Sequence, residues 1–155
     1  MANKPLMISG FIVWVVATGM FLASLLTKYW KTFGTIHFNL FDACVGALCT
    51  PYGWDPTTTQ RSIIVPRYLM LVAAFFVLLG LVIGMIGLCT RRNKCCMVTE
   101  GVLTIVGGIT VLTACAAFTA FFVNNHMSFG YSFYFGWVAG AAYIVAGALH
   151  CAGSA

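Results

Sequence analysis

Four stretches of this chain are too long and too evenly apolar to be the helices of a soluble domain. They run from about Leu6 to Thr27, Tyr68 to Cys89, Gly101 to Val123 and Phe133 to Cys151, and none contains Asp, Glu, Lys or Arg. A bilayer core about 30 Å thick takes roughly 20 apolar residues of helix. In hydrocarbon every backbone N–H and C=O must be paired inside the protein, so only helices and closed barrels span it. Barrel strands are about 10 residues long and alternate in polarity; these spans do not. A membrane all-α bundle of four transmembrane helices is therefore expected, as one domain covering residues 1–155. The first span is not read as a signal peptide. It exceeds the usual apolar core of about 7–15 residues, and it runs into Lys28, Tyr29, Trp30 and Lys31 instead of small residues suited to cleavage. Tyr29 and Trp30 read as an interfacial aromatic anchor. His150, at the end of the fourth span, is expected to reach the interface.

Composition closes off other classes. Hydrophobic residues make up 61% of the chain and charged residues 7%, against about 25% charged in soluble domains. So small a polar complement excludes an ordinary soluble enzyme, a disordered chain and a nucleic-acid binder with a basic face. The excess of 8 Lys+Arg over 3 Asp+Glu bears on loop orientation, not on a polyanion ligand.

Four spans put both termini on one side. The short second connection carries Arg91, Arg92 and Lys94, and Lys4 precedes the first span. Lys28, Lys31, Arg61 and Arg67 are diluted over the long first connection, residues 28–67. The positive-inside rule favours cytoplasmic termini, although the counts are nearly even. The cysteines separate the sides more firmly. Cys44 and Cys49 stand alone in the long loop around Gly46. In an oxidising compartment two such thiols form a disulfide, constraining the unfolded chain by about 2 kcal/mol. The rival reading, a metal pair, has only His37 in the loop as a third ligand, so the disulfide is favoured and no metal is expected. Cys89, Cys95, Cys96 and Cys151 cluster at the membrane ends placed inside, where juxtamembrane cysteines are candidates for S-palmitoylation; the plainer reading is reduced cysteine filling apolar space. Cys115 is expected to be a packing residue.

The long loop is rich in strand formers, among them Phe33, Ile36, Phe38, Leu40 and Val45, punctuated by Gly34, Gly46, Pro51, Gly53 and Pro56. A small extracellular antiparallel β-sheet is expected there, stapled by the cysteines. Tyr52 and Trp54 read either as an exposed tip that touches a partner or as a lid packed on the membrane interface. No catalytic constellation is evident. Of the acidic residues Asp42, Asp55 and Glu100, only the first two are expected on one side of the membrane, and the histidines are dispersed. No enzyme activity, cofactor or small-molecule substrate is expected. Gly80 with Gly84, Gly136 with Gly140, and the adjacent Gly107 and Gly108 allow close helix approach, first of all within the bundle.

Four spans, a long first loop opening on Trp30, then Asn39-Leu40-Phe41 and the pair Cys44 and Cys49: this resembles the claudin superfamily. That group comprises claudins, peripheral myelin and epithelial membrane proteins, the lens fibre membrane protein and channel gamma subunits. Its loop signature is a Trp, a Gly-Leu-Trp triplet and two cysteines. Arg67, before the second span, is similar to the family's Arg at that point, and the stretches from Met1 to Gly10 and from Phe129 to Cys151 are also similar. Asn39 and Phe41 depart from the triplet, the interval from Trp30 to Cys44 is short, and so is the second outer loop. The sequence stops at Ala155, so a cytoplasmic tail is not expected. The resemblance implies a structural plasma-membrane protein of cell–cell junctions, adhesion or a paracellular barrier, with further copies in the same or facing membrane as partners. The alternative is an auxiliary subunit of an ion channel or receptor, which the cysteine spacing and short second loop fit; a third reading is a membrane organiser of the epithelial type.

Unreduced intact cells treated with an impermeant thiol reagent should show no labelling of Cys44 or Cys49. Cys44→Ser should lower surface expression, because the sheet loses its staple.

Overall fold

The computed structural model describes residues 4–55, 59, 61–89, 94–122 and 128–154. Within them, four helices are long and apolar enough to cross a membrane: α1 (Lys4–Leu26), α2 (Arg61–Cys89), α3 (Lys94–Phe122) and α4 (Tyr131–Ser154). Five short strands complete the fold: β1 (Lys31–Phe33), β2 (Ile36–Phe38), β3 (Asp42–Val45), β4 (Leu48–Pro51) and β5 (Ser128–Phe129).

The helices overrun the apolar windows. α2 begins at Arg61 instead of near Tyr68, so Arg67 is helical and the first loop ends earlier than residue 67. α3 begins at Lys94, so Glu100 lies inside it. The reason is that hydropathy marks only the hydrocarbon depth, whereas backbone pairing favours continuing the helix through the interface. At about 1.5 Å per residue, the 29 residues of α2 and of α3 span about 43 Å, the thickness of core plus headgroups.

α1 packs on α4, α4 on α3 and α3 on α2, with no comparable packing of α1 on α2. Glycines bring α3 and α4 into backbone contact. A Cβ on Gly108 would lie 2.7 Å from the Gly140 carbonyl oxygen, and one on Gly147 would lie 2.5 Å from that of Gly101. The two pairs match in antiparallel order, seven positions apart on each helix, which is the repeat that keeps one seam facing its neighbour. Gly80 and Gly84 clear space for Thr104 and Glu100 of α3, and Gly136 does so for Cys115 and Ser24. The glycine spacings thus serve contacts inside the bundle. Gly153 sits against Met7, so the start of α1 and the end of α4 meet at the end of the bundle away from the sheet.

The sheet has the order β4-β3-β2-β1-β5, antiparallel throughout. Four strands come from the first loop, where a small antiparallel sheet is expected. The fifth does not: β5 precedes α4 and pairs Phe129 with Lys31 and Ser128 with Thr32. An unpaired β1 edge would leave backbone donors and acceptors unsatisfied, and a strand of two residues gives no periodic signal in sequence. Gly34 and Gly46 turn the β1–β2 and β3–β4 hairpins with φ of 57° and 60°, a conformation open to glycine.

Gly108→Val should push α3 from α4, since the neighbouring Gly140 atom is backbone and cannot rotate away. The expected cost is about 1–3 kcal/mol, read as a lowered thermal midpoint of the detergent-solubilised protein.

Candidate functional site

The sheet is fastened to the bundle by side chains that the loop itself supplies. Trp30 is fully buried and its indole Nε1–H donates to the Ser24 carbonyl at 2.7 Å, near the end of α1. Its ring packs edge-on against Phe118 of α3 and Phe133 of α4. Asn39 donates through Nδ2 to the Leu25 carbonyl at 3.2 Å, while its Oδ1 accepts from the Leu40 N–H at 2.6 Å. Leu40 is fully buried. The Trp, Asn and Leu of the loop therefore all point into the ends of the helices.

Arg67 does the same from the opposite direction. It is fully buried; its Nε–H donates to the Leu40 carbonyl at 2.7 Å and its Nη1 to the Gly53 carbonyl at 3.0 Å. The guanidinium carbon lies 4.8 Å from the Trp54 ring centroid, 5.4 Å from Phe41 and 5.9 Å from Tyr52. A planar cation faced by three rings gains electrostatic attraction that compensates in part for lost water. Phe41 pairs with Trp54, and Trp54 with Tyr68. Trp54 thus lies folded against the Arg67 cage and is still 55% exposed. Tyr52 is bound through its N–H to the Phe41 carbonyl at 2.7 Å; burial holds its phenol above the ordinary value, the Arg67 charge pulls it down and Asp42 adds to the rise.

Lys31 is a buried cation that the loop charges concealed. Its Nζ donates to the Phe122 carbonyl at 3.1 Å, at the last residue of α3, and lies 4.4 Å from the Phe122 ring centroid. A cation at a helix C-terminus meets the negative end of the helix dipole. Burial pushes its ammonium below the ordinary value.

Cys44 and Cys49 lie directly opposite each other on β3 and β4 and are joined by a disulfide. His37, the third ligand of the rival metal reading, stands next to Cys44 across the strands but packs on Tyr29, with ring centroids 4.6 Å apart. Among the described residues no group of three His, Cys, Asp or Glu side chains could hold a metal ion. At the other end of the bundle Cys95 is exposed, Cys96 and Cys151 are half-buried, and Cys115 is buried mid-helix. The side chain of Cys89 lies outside the described residues, as do Arg91 and Arg92.

One polar pair escaped the sequence reading. Glu100 and His150 do not lie apart, and His150 does not reach for the interface. Its Nδ1 is 2.8 Å from Glu100 Oε1 and 2.7 Å from Oε2, with both residues buried. Thr104 donates to Oε1 at 3.4 Å. Gly10 of α1 lies against the imidazole and Gly84 of α2 against the Glu100 side chain, so all four helices shape the niche. The available signal was an acid and a histidine at matching depths of two antiparallel spans; starting the third span at Gly101 hid it.

Four membrane-length helices, a short antiparallel sheet over one end of the bundle and a Trp-anchored, disulfide-stapled loop define a four-span membrane protein. The sequence matches the PMP-22/EMP/MP20/Claudin family over residues 4–150, and the chain belongs to that family. It is also similar to the human claudin domain-containing protein 2, with 26% identity over 146 residues covering 94% of this chain and 84% of that protein.

Arg67→Lys should keep the charge and lose the fork that reaches two carbonyls at once. The expected destabilisation is about 1.5–3 kcal/mol, read by thermal unfolding in detergent and by a fall in surface delivery; an unchanged midpoint would reduce Arg67 to a snorkelling cation.

Proposed function

We propose that this protein is a claudin-like structural component of cell–cell contacts, adhesive or barrier-forming, with the sheet on the outer side of the plasma membrane and both termini in the cytoplasm. The observation that carries this reading is a row of apolar residues at the far rim of the sheet. Leu48, Val45, Ile36 and Phe33 are register partners across four consecutive strands. Register partners point to one face of a sheet. Leu48 is 77% exposed, Val45 61% and Phe33 57%. No intramolecular packing requires so exposed an apolar row, and contiguous apolar patches on a surface mark sites of association. Among the described residues β4 is also an edge of the sheet, able to pair with another strand along Leu48–Pro51. Tyr52 and Trp54, beside the Arg67 cage, extend the contact toward the bundle. Cys95, Cys96 and Cys151 would then face the cytoplasm, where S-acylation is open to them.

A second reading, an auxiliary subunit of an ion channel or receptor, is favoured by the use of Ser128–Phe129 to complete the sheet. That pairing spends part of the second outer connection on the fold instead of on a separate adhesive loop.

Expression in cells that lack junctions should produce strands at cell contacts or raise transepithelial resistance. Leu48→Asp should weaken this assembly by about 2 kcal/mol or more while leaving surface delivery intact, because the side chain is 77% exposed. Normal assembly of that variant counts against the rim. Co-purification of a stoichiometric channel in place of a homopolymer would support the second reading.

A further inference from the structure

The bundle is open on one side. Among the described residues α1 and α2 make no packing comparable to that of the other neighbouring helices, and between them lies a cavity of about 310 Å³ lined by Phe11 and Trp14 of α1, Leu81 and Met85 of α2, and Glu100 and His150 at its polar end. That volume is at the lower end of small-molecule sites, and apolar walls with a few convergent polar groups are their usual form. Ionisable residues inside a membrane span are costly to keep and point to a functional site. We propose that this groove binds a 3-hydroxysterol from the leaflet opposite the sheet, its hydroxyl on the Glu100–His150 pair and its rings along Phe11, Trp14 and Leu81.

Three observations select this occupant. The first is the unused hydrogen-bonding capacity of the pair. Glu100 and His150 meet through Nδ1 alone, so Nε2 makes no hydrogen bond among the described residues and the carboxylate keeps lone pairs. A hydroxyl, which both donates and accepts, suits such a set.

The second is charge and depth. The lining contributes no Lys or Arg to meet a phosphate or carboxylate headgroup. Glu100 is six residues from the start of α3 and His150 four from the end of α4, about 9 Å and 6 Å of helix. Drawing an ionised headgroup to that depth costs far more than drawing in a hydroxyl. The third is the rigid aromatic wall. A fused-ring body loses fewer internal rotations on entry than acyl chains do.

The test uses the full chain in phosphatidylcholine nanodiscs with a photoreactive 3-hydroxysterol. Labelling is expected on the peptides bearing Phe11 and Leu81, and excess unlabelled hydroxysterol should compete it away. Glu100→Gln combined with His150→Asn should reduce labelling about tenfold. Should that variant fail to fold, Ile8→Trp serves instead: Ile8 lines the mouth and is 62% exposed, so the indole blocks entry without touching the pair, and labelling should fall about fivefold or more. Equal labelling by a 3-deoxy analogue overturns the role of the pair. Labelling of the same peptides by a photoreactive diacylglycerol, uncompeted by sterol, overturns the sterol. Labelling spread over all lipid-facing helices and indifferent to Ile8→Trp overturns the site.

Discussion

The Arg67 guanidinium is the joint on which the two halves of this molecule depend. A sheet of strands two to four residues long has no independent stability; it must be held by something that does not move. Arg67 stands on a helix of 29 residues, and its fork takes the carbonyls of Leu40 and Gly53, on either side of the β3–β4 hairpin. The same cation is covered by Phe41, Tyr52 and Trp54. Removing such a group leaves buried carbonyls unpaired, which costs more than the hydrogen bonds gain net. Trp30 and Asn39 complete the joint from the loop side by donating to carbonyls at the end of α1, and Lys31 does so at the end of α3. Helix ends that would otherwise carry orphan acceptors are thereby met by the loop that covers them.

The opposite end of the bundle is organised by backbone proximity. Lipid offers no hydrophobic drive for helices to associate, so close packing and interhelical hydrogen bonds supply the affinity. The reciprocal glycine contacts of α3 and α4 provide the first, and Glu100 with His150 provides the second. Gly10 and Gly84 make the pair possible by leaving room for its side chains.

The chain is a member of the PMP-22/EMP/MP20/Claudin family over residues 4–150. The bundle and its clasp carry the sheet, and the sheet's far rim holds an apolar row from Phe33 to Leu48 that the proposed function assigns to association.

Helix number and sheet were legible in the sequence because both follow from short-range rules. A run of uncharged residues longer than a bilayer's thickness has one stable state, and glycine-punctuated strand formers around two cysteines have few others. The loop residues Trp30, Asn39, Leu40, Phe41 and Arg67 could be singled out, but not what each one touches. Helix limits were misplaced because polar residues such as Arg61 and Lys94 continue a helix that hydropathy has already left. Only the tertiary structure decided the remainder. β5 exists because β1 has an edge to satisfy. Lys31 is a buried cap because α3 happens to end above it. Glu100 and His150 become partners because two antiparallel helices, drawn together at glycines, bring residues fifty positions apart to one depth in a medium where neither tolerates being alone.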